Sequence, residues 1–158
     1  MTNQLDETDA RILDLLQQDG RILFKDLARL ARVSVPTVRY RMRRLLEKGI
    51  IRKFSAIIDP AVFGRVKAIF SISGKSSDLE DIGRKLGDIE EVREVCITTG
   101  LPGIVVRAEV WNLRELVELA KKIARIPEIT TVALSIVTST MKNETVIRVP
   151  PGTQLNHV

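Results

Sequence analysis

The sequence has little of what most catalytic and metal sites require. It contains one cysteine, Cys96, and one histidine, His157. A single cysteine excludes an intramolecular disulfide and a thiolate metal cluster. A single histidine leaves one copy of the residue that most often serves in acid/base catalysis and in metal binding. We therefore predict a chain without catalytic residues, metal or cofactor.

Aromatic residues and long apolar runs are also scarce. Aromatic side chains make up 4% of the chain, and no apolar run approaches the ~18 residues that a membrane span needs. Residues 1–4 lack the charged-then-apolar arrangement of a secretion signal. Hydrophobic residues make up 44% of the 158 residues and charged residues 28%, which is typical of a folded globular chain. The prediction is a cytoplasmic protein of one or two domains.

Positive charge is concentrated in one part of the sequence. The net charge is +5 and the pI is about 9.7. Residues 29–53 hold nine basic side chains and one acidic side chain. Such a concentration is typical of a surface that binds a polyanion. The alternative is a solvated helix face, because basic runs are common on exposed helices.

The first third of the sequence predicts three helices. Asp6 is a suitable N-cap for the first helix, and the second covers about residues 25–32. Ser34 caps the third helix, which carries Pro36 in its first turn and runs to Glu47. Two helices joined by a tight turn, the second far more basic than the first, are typical of a helix-turn-helix.

A helical wheel gives the third helix two different sides. Its apolar side consists of Val35, Val38, Met42, Leu45 and Leu46. The opposite side consists of Pro36, Thr37, Tyr40, Arg43 and Arg44, with Arg39 and Arg41 on the flanks. We expect the apolar side to pack on the first two helices and the opposite side to enter the major groove of DNA. The alternative is an amphipathic helix whose arginines only keep the protein soluble.

The polar side of the third helix suggests separate roles in DNA binding. We expect Thr37, Tyr40 and Arg44 to contact base edges, because arginine can bind guanine bidentately. Pro36 is expected to line the groove, and the remaining arginines to hold phosphates. The predicted DNA-binding residues are Ser34, Pro36, Thr37, Arg39, Tyr40, Arg41, Arg43, Arg44 and Arg29.

The composition changes after the third helix. Residues 50–58 are rich in β-branched side chains and predict a strand that leaves the helical region. Asp59-Pro60 interrupts it and indicates a domain boundary. We assign residues 1–52 to the DNA-binding domain, 53–63 to a linker, 64–140 to a second domain and 141–158 to a C-terminal extension.

The second domain alternates strands and helices in the order β-α-β-β-α-β, which is that of the ferredoxin-like fold. Its helices are expected to begin at the capping box Ser77-Asp78-Leu79-Glu80 and at Asn112. Alternate residues on the open face of the sheet are apolar, so we expect a second copy of the chain to cover it. An edge strand is expected at 145–149. The four main strands are predicted at 66–73, 92–98, 104–110 and 129–137.

Short motifs occur in a characteristic order along residues 5–142. They are Leu5-Asp6-x-x-Asp9, Ile12-Leu13-x-x-Leu16, Asp19-Gly20-Arg21, Leu27-Ala28, Ser34-x-x-Thr37-Val38, Arg41-x-x-x-Leu45, Gly49-Ile50-Ile51, Asp59-Pro60, Gly64 and Thr99-Gly100. Each motif is weak alone. Together with the β-α-β-β-α-β pattern, the series resembles the Lrp/AsnC family of leucine-responsive and asparagine-responsive regulators.

The resemblance implies an α+β protein with an N-terminal winged helix-turn-helix domain and a C-terminal ferredoxin-like domain. It also implies a transcription regulator that binds double-stranded DNA and is not an enzyme. The family's sheet domain forms a homodimer, often assembles further into tetramers or octamers, and binds an amino acid or related small effector between dimers.

Three positions depart from the family's pattern for the effector. Gly103 stands where the family usually has an acidic residue, and Val132 and Leu134 replace two threonines of the last strand. A site without these polar partners would desolvate a zwitterion without restoring its hydrogen bonds. An apolar effector, another member of the family as partner, or no effector stay open. The candidate effector residues are Thr99, Gly100, Leu101, Pro102, Gly103, Val132 and Leu134, of which the first five could also form a plain hairpin turn.

Other classes of function compete with a sequence-specific regulator. An architectural DNA-binding protein would need the same basic helix. An effector-sensing partner subunit would need the same sheet domain. Some haem-pathway decarboxylases resemble the same two-domain plan. Residues 61–140 contain neither histidine nor tyrosine, which leaves few groups for acid/base chemistry on a tetrapyrrole.

Overall fold

The structure, a computed structural model, describes residues 4–58, 60–144 and 146–153. The chain divides into two units. The helical unit contains the residues up to 57 together with those from 143 onward, and the sheet unit contains residues 58–142. No helix among the described residues is long and apolar enough to cross a membrane.

Three helices build the helical unit: α1 (Glu7–Gln18), α2 (Phe24–Ala31) and α3 (Val35–Glu47). The predicted cap of α1 is confirmed, because the Asp6 carboxylate accepts a hydrogen bond from the Asp9 backbone N–H at 2.9 Å. Ser34 caps α3 by accepting from the backbone N–H of Thr37 at 3.3 Å. Only three residues separate α2 from α3, which confirms the tight turn of a helix-turn-helix.

An apolar core holds the three helices together. Its fully or nearly buried members are Leu5, Ile12, Leu13, Leu27, Ala28, Ala31, Val38, Met42 and Leu45. Burying each of the larger side chains contributes about 1.5–3 kcal/mol. Leu46, which the helical wheel places on the apolar side, is 43% exposed, because it lies at the edge of the packed stripe. The packed side of α3 is therefore narrower than predicted.

A C-terminal segment, residues 143–153 apart from residue 145, belongs to the helical unit. The Gln17 side-chain amide of α1 donates to the carbonyl of Ile147 and accepts from the Ile147 backbone N–H, both at 2.8 Å. Farther along, the Leu5 N–H donates to the carbonyl of Thr153 at 3.1 Å. The chain thus enters the helical unit a second time after it has completed the sheet.

The C-terminal segment forms no edge strand. Residues 146–149 have no strand assignment, so the prediction for 145–149 is wrong over its described part. The backbone polar groups of Ile147 are satisfied by a glutamine side chain instead of a neighbouring strand. Val149 packs against the apolar core of the helical unit, which anchors the segment there.

The sheet unit has the predicted β-α-β-β-α-β order. The elements are β1 (Val66–Gly74), α4 (Leu79–Gly87), β2 (Val92–Ile97), β3 (Ile104–Val110), α5 (Leu113–Ala124) and β4 (Ile129–Ile136), with 3-10 turns at Pro60–Phe63 and Ser76–Asp78. Neighbouring strands are antiparallel, and their order in the sheet is β2-β3-β1-β4. This topology confirms the ferredoxin-like fold.

The two helices of the sheet unit begin differently. Asn112 caps α5 by accepting from the Glu115 backbone N–H at 2.9 Å, and the Glu115 carboxylate accepts in turn from the N–H of Trp111. The capping box predicted for α4 is not formed. The Ser77 hydroxyl instead donates to the Asp78 carboxylate at 2.8 Å, and a 3-10 turn leads into the helix.

The two faces of the sheet differ in polarity. The helix-facing side buries Ala68, Phe70 and Ile72 of β1 in an apolar core. On the open side, the strand register sets Ile69 beside Arg107 of β3 and Ser135 of β4. The open face is therefore mixed in polarity around Ile69, and its covering by a second copy of the chain stays a prediction.

The strand predicted for residues 50–58 is absent. Residues 52–58 have no helix or strand assignment. Strands are stabilised by hydrogen bonds to a neighbouring strand, and the described chain supplies none here. Phe54, Ile57 and Ile58 are exposed in consequence.

Candidate nucleic-acid interface

The exposed side of α3 carries most of the predicted DNA-binding residues. Pro36, Arg39, Tyr40 and Arg43 are exposed, and Tyr40 keeps 65% of its surface accessible. These positions are separated by three or four residues, so they lie along one side of the helix. Opposite them, Val38, Met42 and Leu45 are buried in the core of the helical unit. The helix thus presents an aromatic and basic surface on a rigid support.

The start of α3 is fixed by two hydroxyl groups. The Ser34 and Thr37 side-chain oxygens lie 2.7 Å apart and share a hydrogen bond. Ser34 also caps the helix, so its oxygen is engaged within the protein. Thr37 is partly exposed and stands one turn before Tyr40 on the same side. The geometry gives Ser34 a positioning role and leaves Thr37 accessible.

A neighbouring surface lies at the start of α2. The guanidinium of Arg39 lies 5.6 Å from the centre of the Phe24 ring, within the range of a cation–π contact. Leu23 and Phe24 are exposed although both are large and apolar. The predicted DNA-binding residues do not include them. Phe24 precedes Leu27, Ala28 and Ala31 by three, four and seven residues, so helical spacing alone would assign it to the buried side of α2.

Arg29 stands apart from the arginines of α3. It lies on α2 and forms an exposed ion pair with Asp26 at 3.2 Å. An exposed pair of this kind contributes about 0–1 kcal/mol and opens readily. Arg29 therefore stays accessible to a phosphate.

Two predicted contact residues are turned toward α1. The Arg41 Nη1 atom lies 2.9 Å from Asp9 Oδ1 and 2.5 Å from Asp6 Oδ2. The Arg44 Nη2 atom also bonds to the Asp9 carboxylate. The Arg41 and Arg44 side chains are only 20% and 29% exposed, and Asp9 is fully buried. The Arg44 guanidinium therefore faces Asp9 in this structure, because the nearby buried carboxylate attracts it, and the expected contact of Arg44 with base edges stays a prediction.

The four residues Asp6, Asp9, Arg41 and Arg44 form an ionic cluster with two charges of each sign. Burial of the Asp6 carboxyl acts to raise its pKa, but hydrogen bonds from Arg41 and from the backbone of Asp9 outweigh it and lower the pKa below 3.8. Burial acts to lower the pKa of Arg41, yet its bonds to Asp6 and Asp9 outweigh burial and raise the pKa above its ordinary value. Both groups stay ionised at neutral pH.

The turn predicted to hold an effector lies in the sheet unit. Leu101 at its tip is 92% exposed, whereas Gly103 is buried. A Cβ atom on Gly103 would lie 3.0 and 3.2 Å from the two methyl groups of Leu79. The space beside this glycine is therefore filled by a leucine side chain. Thr98 closes the turn, since its hydroxyl donates to the carbonyl of Pro102.

The two predicted effector residues of β4 lie away from this turn. Val132 and Leu134 pair with Ile72 and Phe70 of β1, whereas the turn leads into β3 on the other side of β1. Val132 packs against the apolar core and Leu134 is partly exposed. One copy of the chain does not bring the seven candidates into one site.

A shallow cleft occurs elsewhere on the sheet unit. Its volume is about 440 Å³, and none of the candidate effector residues lines it. No group of three or more His, Cys, Asp or Glu side chains within residues 4–58, 60–144 and 146–153 is placed to hold a metal ion. The cleft is lined by Glu91, Asn112, Arg114, Glu115, Glu118, Leu119 and Lys122.

Comparisons with known proteins agree with both units. Residues 5–52 match the family described as winged helix-turn-helix DNA-binding, and residues 67–147 match the Lrp/AsnC ligand binding domain. The chain belongs to the Lrp/AsnC family. It is a DNA-binding transcription regulator with a helix-turn-helix domain and a ligand-binding domain, and the family is one of regulators rather than enzymes.

Several relatives span nearly the whole chain. An uncharacterised HTH-type transcriptional regulator of Pyrococcus furiosus is 39% identical over 140 residues, which is 87% of this chain and 95% of that protein. The regulator FL11 of Pyrococcus abyssi is 33% identical and is covered to 97%, against 92% of this chain. The relatives therefore share both domains with this chain.

Solved structures of the Lrp/AsnC family share the fold. Escherichia coli AsnC has a TM-score of 0.81 at 28% identity, covering 90% of this chain and 97% of AsnC. The leucine response regulatory protein of Mycobacterium tuberculosis has the same score and identity, covering 91% and 99%.

Proposed function

We propose that this Lrp/AsnC regulator binds DNA in a sequence-specific manner and that α3 is its recognition helix. The carrying observation is the division of α3 into two sides. Val38, Met42 and Leu45 are buried, while Tyr40 and Arg43 are exposed on the opposite side. A helix supported in this way can enter the major groove with its side chains directed at base edges.

The exposed residues divide into base readers and phosphate contacts. Thr37 and Tyr40 read base edges, because both carry hydroxyl groups on the groove side of α3, where Thr37 is partly exposed and Tyr40 is exposed. Pro36 lines the groove, and Ser34 fixes the start of the helix. Arg39, Arg43 and Arg29 hold phosphates, since their guanidinium groups are exposed.

The active form is a homodimer that binds a two-fold symmetric site. Two recognition helices then meet successive major grooves about 34 Å apart, which is one turn of DNA. The exposed apolar side chain of Ile69 on the open sheet face supports pairing through the sheet unit. This function involves no catalysis. A regulator of this kind acts in the cytoplasm, where the chromosome lies.

Effector binding differs from recognition of a free amino acid. The turn offers no carboxylate for an ammonium group, because Gly103 has no side chain. The space beside Gly103 is filled by Leu79. Val132 and Leu134 offer no hydroxyl groups on β4. An apolar effector, or regulation through another member of the family, fits this chemistry better.

The test is DNA selection followed by fluorescence anisotropy. A fragment selected from a random pool is titrated beside a scrambled fragment of equal length, at two salt concentrations. We expect a preference above about 10³-fold for the selected fragment. Equal, salt-sensitive binding to both fragments would indicate an architectural protein, and no binding to either would indicate an effector-sensing partner subunit.

A further inference from the structure

Two of the basic side chains of α3 are unavailable to DNA in this structure. Arg41 and Arg44 both contact the carboxylate of Asp9, a residue of α1. We propose that Asp9 limits the number of phosphate contacts that α3 makes, because it holds two arginines inside the protein and so lowers the affinity for DNA of every sequence. This inference rests on the proposed DNA binding and adds to it a residue outside the recognition helix.

Both oxygens of the Asp9 carboxylate are occupied. Oδ1 accepts from Arg41 at 2.9 Å, and Oδ2 accepts from Arg44 and from the backbone N–H of Asp6 at 3.4 Å. The Asp9 side chain has no exposed surface. Water therefore cannot replace the arginines at this carboxylate. Asp9 binds the guanidinium groups of Arg41 and Arg44 in the way that a DNA phosphate binds an exposed arginine.

The free-energy balance favours the internal partner. Removing a guanidinium from a buried carboxylate leaves an uncompensated buried charge, which is strongly unfavourable. A contact to a DNA phosphate at the surface is weakened by salt, because it depends on the release of counterions. Arg44 and Arg41 thus remain with Asp9 when DNA binds.

The neighbouring Arg43 shows the difference between an arginine that Asp9 holds and one that is exposed. It precedes Arg44 by one residue, is exposed, and forms no ion pair within the described part of the chain. The four arginines of α3 lie within residues 39–44, which is less than two helical turns. Because Asp9 holds Arg41 and Arg44, only Arg39 and Arg43 of these four are exposed.

Fewer backbone contacts lower the affinity for every DNA sequence. Each phosphate contact adds affinity for every sequence and makes the slope of log K against log salt steeper by about 0.9. Base contacts by Thr37 and Tyr40 do not depend on these arginines. Withholding Arg41 and Arg44 therefore makes DNA binding weaker and less dependent on salt, and it leaves the preference between sequences to the base contacts.

The test compares two charge-neutralising variants of α1. Asp9→Asn and Asp14→Asn remove one negative charge each from the same helix, so they change the net charge equally. Anisotropy titrations on the selected and scrambled fragments are made over a series of salt concentrations. Circular dichroism first establishes that each variant is folded at the assay temperature.

We expect Asp9→Asn to steepen the salt slope on scrambled DNA by about one, because Arg44 is released while Asp6 still holds Arg41. Affinity should rise by the same factor on the selected and the scrambled fragment, so the preference between them should stay unchanged. The double variant Asp6→Asn/Asp9→Asn keeps an N-cap, since asparagine caps helices well, and should steepen the slope by about two. Asp14→Asn should leave the slope unchanged. Equal slopes for Asp9→Asn and Asp14→Asn would overturn the inference.

A second measurement covers the case in which Asp9→Asn does not fold. Arg44→Met and Arg43→Met remove the same charge from adjacent positions of α3. Arg43→Met should reduce the salt slope by about one, and Arg44→Met should leave it unchanged. A reduction by Arg44→Met equal to that of Arg43→Met would overturn the inference. Absence of DNA binding by the wild-type protein would instead overturn the proposed function itself.

Discussion

The helical unit and the sheet unit are stabilised by different means. Among the described residues of the sheet unit, the buried side chains are all apolar, and ion pairs such as Lys85–Asp81 lie at the surface. The helical unit buries Asp9 between Arg41 and Arg44. The comparison shows that a basic stretch of sequence serves two purposes. Some of its charged side chains form ion pairs that stabilise the fold, and the others stay exposed for binding to DNA.

The largest expected loss of stability comes from a substitution in the apolar core of the sheet unit. Phe70→Ala removes a fully buried ring from β1 and should lower the free energy of unfolding by about 4 kcal/mol. Denaturation followed by the fluorescence of Trp111, the single tryptophan, reports on this unit. A loss below about 1 kcal/mol would contradict the assignment of Phe70 to the core.

The next largest loss of stability is expected from a substitution in the ionic cluster of the helical unit. Asp9→Ala leaves two partly buried guanidinium groups without their shared carboxylate and should cost about 3 kcal/mol. Hydrogen exchange of the α1 and α3 amides measures the loss, with Asp14→Ala as the control on the same helix. Equal loss of protection in the two variants would show that burial of Asp9 is not the cause.

A smaller effect is expected in the C-terminal segment. Val149→Ala should lower protection of α1 from hydrogen exchange by about 1 kcal/mol, because Val149 packs on the core of the helical unit. Val146→Ala changes the same side chain at an exposed position of the same segment and should have no effect. Loss of protection in β1 instead of α1 would place the segment on the other unit.

The smallest effect concerns acid pH. The pKa of Asp6 is lower in the folded protein than its ordinary value of 3.8, so its ionised form stabilises the fold above pH 3.8. That contribution is lost as the pH falls through the folded pKa. The difference in unfolding free energy between wild type and Asp6→Asn should therefore shrink below about pH 4. A difference that is constant from pH 7 to pH 3 would exclude this role.

Periodicity predicts the fold and the groove side of α3 because both follow from backbone geometry. The positions of Thr37, Tyr40 and Arg43 on α3 needed only the 100° rotation per residue. The position of the Arg44 guanidinium did not follow, since a long side chain turns toward a carboxylate that is 35 residues away in sequence. A helical wheel carries no information about such a partner.

Contacts without a repeating pattern were also missed. The C-terminal segment is held by one glutamine, Gln17, and by Val149, neither of which belongs to a motif. The seven candidate effector residues were chosen by resemblance to a family site. A single chain places them on either side of β1, so one copy of the chain does not bring them into one site.

The measurement that tests the central claim most directly is the effect of Tyr40→Ala on two DNA fragments. Tyr40 is exposed on the groove side of α3 and has no role in the core. We expect affinity for the selected fragment to fall by about 1–3 kcal/mol and affinity for the scrambled fragment to stay unchanged. An equal loss on both fragments, or no loss on either, would contradict the claim that this side of α3 reads the DNA sequence.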